Sequence, residues 1–88
     1  MNTQNQYQLD ILTDLRNKRN DLMTNAEAFR QELERLNEEC SRLVQSGLPT
    51  SDPRLQDNHE SRHSVNEHMN KLNSEALAYC QAIEKLKA

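Results

Sequence analysis

A chain of 88 residues with 34% apolar residues and a net charge of −3 is at most one small domain with a thin core. The charge leaves no electrostatic footprint for nucleic acid or an anionic membrane, and no apolar run approaches the roughly 20 residues that span a bilayer. Aromatic residues make up only 3% and β-branched residues are few, which argues against sheets, whereas the abundance of Leu, Glu, Gln, Arg, Lys and Ala favours helix.

The first residues, 1–6, are polar and lack the apolar centre of a signal peptide, so a cytoplasmic, reducing location is expected, with Cys40 and Cys80 as thiols. Residues 1–5 read as a frayed tail. Thr3 and Gln6 carry the spacing of a capping box, which places a possible helix start near Thr3.

The first long helix is expected over about residues 6–45. Leu12, Leu15, Leu22, Ala26, Phe29, Leu33, Leu36, Cys40 and Leu43 recur at alternating steps of three and four, interrupted only by Arg19. That spacing is a heptad seam, with Leu12 at an a position and Leu15 at a d position. The opposite face is charged and reads as solvated, with Asp14–Lys18, Arg30–Glu34 and Glu38–Arg42 at the four-residue spacing of intrahelical ion pairs.

The stop signal is Ser46-Gly47-Leu48-Pro49. Gly47 suits a left-handed residue just past the helix, Leu48 an apolar residue folding back on the last turn, and Pro49 cannot continue the helix. Asp52 followed by Pro53 then reads as an N-cap and a first helical residue. A turn over about residues 46–52 joins antiparallel neighbours.

The second helix is expected over about residues 53–87, with its own seam: Leu55, Asn58, Arg62, Val65, Met69, Leu72, Ala76, Tyr79, Ile83 and Leu86. Folding the chain at the turn pairs Leu43 with Leu55, Cys40 with Asn58, Leu36 with Arg62, Leu33 with Val65 and Phe29 with Met69. The same register continues through Ala26 with Leu72, Leu22 with Ala76, Arg19 with Tyr79, Leu15 with Ile83 and Leu12 with Leu86. Every a position meets a d position, and small residues face large ones at Ala26/Leu72 and Leu22/Ala76. A sulfur–aromatic contact is expected between Phe29 and Met69, and an arginine lying on a ring between Arg19 and Tyr79. The fold class is therefore all-α: an antiparallel two-helix coiled-coil hairpin, expected to pair into a four-helix bundle because one hairpin seam is a thin core.

The two ends of the hairpin differ. Cys40/Asn58 and Leu36/Arg62 make the seam half polar near the turn, so that end is expected to be looser. Toward the termini the apolar face widens: Leu9, Met23, Leu77 and Cys80 on one flank, Ile11 and Ala82 on the other. An apolar cluster at one end of a two-helix unit is an association surface, for a second copy as a homodimer or for a larger protein.

His59-Glu60-Ser61-Arg62-His63 matches the H-E-x-x-H spacing of zinc hydrolases, in which two imidazoles share a helix face and the glutamate is general base. Such enzymes need a dry cleft, and a hairpin offers none. Arg62, a seam residue, sends His59 to a flank and His63 to solvent, and His68 lies about 140° around the helix from His63. His59 and His63 are thus weak metal candidates, and no cofactor or small-molecule substrate is expected. Cys40 and Cys80 lie roughly 33 Å apart along the hairpin and cannot bridge within it. The basic group Arg16, Lys18 and Arg19 is flanked by Asp10, Asp14 and Asp21, which speaks against phosphate binding. These readings converge on a non-catalytic interaction protein, an adaptor, small regulator or inhibitor of a kind common in bacteria and their phages. A structural or chaperone-like coiled-coil subunit is the alternative, and a zinc hydrolase the remote one.

Overall fold

The computed structural model describes residues 3–87, with side chains from residue 6 onward. Two helices, α1 (Thr3–Gln45) and α2 (Pro53–Lys87), pack antiparallel into a rod of 70 × 16 × 14 Å. α1 starts at Thr3, ahead of residue 6; the capping-box hydroxyl of Thr3 and the first residues of the expected tail lie outside the described residues.

The turn forms by the chemistry its residues dictate. Gly47 takes φ +85°, a conformation open to glycine, and its N–H closes on Val44 O at 3.0 Å, the inner bond of a Schellman-type helix end. Ser46 Oγ donates to Leu43 O at 2.7 Å, satisfying another carbonyl of the last turn. Leu48 is half-buried. Asp52 then caps α2: its Oδ1 accepts the Arg54 N–H at 2.9 Å, and its own carbonyl accepts from Leu55 N and Gln56 N at 3.0 and 3.2 Å.

Every expected seam position on both helices is buried or half-buried, while almost all remaining positions are exposed. The fully closed apolar part is small: Ala26, Leu36, Ala76 and Ile83. The contacts that cross the hairpin keep the expected register, since Asn58 reaches Leu36 and Glu39, and Phe29 reaches His68.

Two local expectations need correction, and at Phe29 and Arg19 the structure adds partners that the spacing did not name. The polar layer near the turn is closed at its centre rather than loose: Asn58 is 2% exposed, and its Nδ2 donates to Leu36 O at 2.9 Å and to Glu39 Oε1 at 3.1 Å. The sealed amide takes the place of apolar packing there. The Phe29 ring stacks on His68, a partner the spacing did not name, with centroids 5.6 Å apart, because His68 lies beside the seam next to Met69. Arg19 Nε and Nη2 both bond Asn20 Oδ1 at 3.3 Å, so its head turns outward along its own helix. Among the three expected ion pairs, Arg30–Glu34 forms; Asp14–Lys18 and Glu38–Arg42 do not appear among the described residues. Instead Arg30 and Arg35 each fork onto an acid three residues earlier, Glu27 and Glu32, where the planar guanidinium makes two bonds to one carboxylate.

These pairings set an acid limit. The Arg30 and Arg35 hydrogen bonds hold Glu27 and Glu32 below their ordinary 4.5, and the Arg54 side chain, then its N–H, hold Asp52 below its ordinary 3.8. A carboxylate whose folded pKa is depressed stabilises the fold above its unfolded pKa and loses that contribution as pH falls through the folded value. The melting temperature followed by circular dichroism is therefore expected to fall as pH drops below about 4.5, and Asp52→Asn to flatten part of that slope. An unchanged melting temperature between pH 6 and pH 3 contradicts this.

Candidate interaction surface

The antiparallel register brings e positions of α1 alongside e positions of α2, which creates two unlike flanks. One carries Leu9, Met23 and Val44 from α1 with His59 and Cys80 from α2, and Leu77 sits at its outer edge. The large apolar side chains left exposed by the hairpin run from Met23 at 54% to Tyr7 at 69%, with Leu9, Val44 and Leu77 between. Of these five, Tyr7 and Leu9 lie near the termini, Met23 and Leu77 at mid-rod and Val44 beside the turn.

The six residues expected at an association surface divide. Leu9, Met23 and Leu77 stand exposed, whereas Ile11, Cys80 and Ala82 are half-buried against the hairpin. The flank bearing Ile11 and Ala82 is thus partly closed by the fold, and the open apolar surface is the other one. Two shallow grooves mark it. One lies between Met23, Ala26, Met69 and Asn73; the other follows Leu77, Cys80, Gln81 and Glu84 on α2. Between this level and Val44 the flank is polar, with Arg30, Asn37 and Asn66.

Sequence reasoning passed over Tyr7 and Val44. Val44 occupies the same heptad position as Met23, so the signal was present in the register. It sits beside the turn in a groove of about 430 Å³, with Cys40, Leu55, His59 and Arg62 among its walls. Arg62 Nε is buried there without a hydrogen-bond partner among the described residues, as is Asn58 Oδ1 one turn earlier.

His59 and His63 are both exposed and, four residues apart, lie on the same side of Arg62, His59 beside the seam and His63 further out. His63 Nε2 sits 3.0 Å from Glu67 Oε1 along the helix. His68 faces Phe29 and its Nδ1 lies 2.8 Å from Ser64 O. Among the described residues no group of three or more His, Cys, Asp or Glu side chains converges on a metal-sized site. Cys40 and Cys80 are both free thiols, each half-buried at its own end of the rod. No described helix is long and apolar enough to cross a membrane. No family model, curated protein or solved structure matches the chain.

Proposed function

We propose that the protein is a non-catalytic interaction module, an adaptor, small regulator or inhibitor that works by offering a rigid helical flank to another protein surface. The observation that carries this reading is exposed Met23 and Leu77 at mid-rod, with exposed Leu9 further along the same flank, on a rod whose own core is only a few residues deep. Apolar side chains gathered on one stiff face gain by being covered, and burying one fully gains about 1.5–3 kcal/mol. The hairpin supplies the stiffness, so little ordering entropy is lost on binding. The 70 Å length favours a second reading in the same class, a structural or chaperone-like coiled-coil subunit of a larger assembly.

A photo-crosslinking side chain placed at Met23 or Leu77, compared with one at exposed Asp21 on the charged face, tests the surface in the source cells. Discrete adducts from the first two and none from Asp21 support an interaction module. Met23→Glu or Leu77→Glu is then expected to reduce the adduct formed at the other position by about tenfold or more, since 1.4 kcal/mol is a factor of ten. Equal labelling from all three positions, or none from any, overturns the reading.

A further inference from the structure

Building on that interaction reading, we propose that the occupant of the flank bearing Met23 and Leu77 is a second copy of this chain, joined by a two-fold axis that runs along the rod. Both turns then lie at the same end of the pair.

Area is the first ground. A folded monomer of 10.3 kDa exposes about 5,400 Å² by the usual scaling with mass. This hairpin exposes 6672 Å², an excess of about 1,300 Å². A standard interface covers about 800 Å² on each partner, so one self-contact accommodates most of the excess.

The distribution of apolar residues is the second. Met23 and Leu77 stand exposed at nearly one level, close to the midpoint of the rod, with Leu9 about 20 Å nearer the termini, while Arg30, Asn37 and Asn66 occupy the flank toward the turn. A symmetric contact that buries Met23 and Leu77 must set this level of one copy against the same level of the other. Two axes do so: one across the rod at the level of Met23 and Leu77, and one along it.

Charge chooses between them. Arg16 and Arg30 lie on the same flank, seven residues to either side of Met23. An axis across the rod stacks α1 on the partner's α1 in the opposite sense and brings Arg16 to the partner's Arg30, which Glu27 and Glu34 already engage, so that Arg16 meets no free carboxylate there. An axis along the rod stacks α1 on the partner's α2 with levels preserved. Leu22 faces Ala76 and Leu15 faces Ile83 within one hairpin, so Met23 comes opposite the partner's Leu77 and Arg16 opposite the partner's Glu84, each offset by the same two residues, about 3 Å. Arg16 has no ion pair among the described residues, and Glu84 has only a 3.8 Å contact with Lys87. Symmetry makes each of these contacts twice.

Sedimentation equilibrium of the full chain is expected to give twice 10.3 kDa. Met23→Glu and Leu77→Glu are each expected to raise the dimer dissociation constant at least tenfold while the helical circular dichroism stays unchanged, because both side chains already face solvent. Arg16→Glu and Glu84→Arg are each expected to weaken the dimer severalfold, and the two together to restore it. A spin label at Ser51 in the turn, with Cys40→Ser and Cys80→Ser, reads the axis directly. Labels within a few widths of the 16 Å rod support the lengthwise axis; labels separated by nearly its 70 Å length overturn it. A chain that stays monomeric at millimolar concentration overturns self-pairing altogether. That result leaves the interaction module standing if Met23 and Leu77 still crosslink to a different protein.

Discussion

Replacing Ile83 with alanine is expected to cost about 2–5 kcal/mol and to bring the hairpin close to its unfolding threshold at room temperature. Ile83 is 2% exposed and is the largest fully buried side chain among the described residues. In the hairpin register it lies level with Leu15 of α1, and the adjoining seam residues Leu12, Arg19, Tyr79 and Leu86 are only half-buried, so Ile83 is the one fully closed position of this part of the seam among the described residues. Small domains are stable by roughly 0.05–0.15 kcal/mol per residue, which makes a loss of this size a large fraction of the whole. Urea unfolding at one fixed protein concentration measures it, since any self-association adds a concentration-dependent contribution. Leu86→Ala, at a half-buried position one turn further on, serves as comparison and is expected to lose clearly less. A loss below about 1 kcal/mol for Ile83→Ala means that the terminal seam is not the core it looks to be.

The contrast between Ile83 and its neighbours also shows what the amino-acid pattern could convey. Heptad spacing alone placed every seam residue on the buried side, because a three–four repeat leaves only one stripe of each helix able to meet the other. Gly47, Asp52 and Pro53 announced the turn because each answers a backbone requirement met by few residue types. The flanks were harder to read. Ile11, Cys80 and Ala82 looked as open as Leu9, Met23 and Leu77, yet the hairpin half-buries the first three and leaves the others exposed. That difference depends on how far each side chain leans over the seam, a matter of rotamers and not of spacing. The same holds for Arg30 and Arg35, which reach back three residues to Glu27 and Glu32 although partners four residues ahead were available to both. The H-E-x-x-H match at His59 and His63 is the opposite case. The letters are right for zinc and the two imidazoles share a face, but His68 is taken up by the Phe29 stack, and no third His, Cys, Asp or Glu joins them among the described residues.

Asn58→Leu is expected to raise stability by roughly 1–3 kcal/mol and to loosen the register that the wild-type chain keeps. The asparagine is as buried as Ile83, but its hydrogen bonding is incomplete: Nδ2 serves Leu36 O and Glu39 Oε1, while Oδ1 is buried without a partner. Each bond made is worth about 1 kcal/mol net, and a buried acceptor left unmet costs about 1–3 kcal/mol, so the amide gains little on balance. Leu36 O belongs to the helix ladder of α1, and the Glu39 carboxylate lies at the edge where water and Arg35 can serve it, so neither is stranded by the substitution. A leucine adds apolar contact next to Leu36 and Cys40 in place of an amide. What it removes is a positional lock. Only in the native register does the Asn58 amide meet the Leu36 carbonyl, and any slip of α2 along α1 leaves it dry and unbonded, the way a single buried asparagine fixes alignment in coiled coils. The two effects separate experimentally. Thermal melting reports the stability, and label-to-label distances across the seam, for example from position 33 to position 65, report the register. A higher melting temperature with a broadened distance distribution fits both expectations. A lower melting temperature with a sharp distribution shows instead that the Leu36 and Glu39 bonds hold the turn end together by energy rather than by alignment.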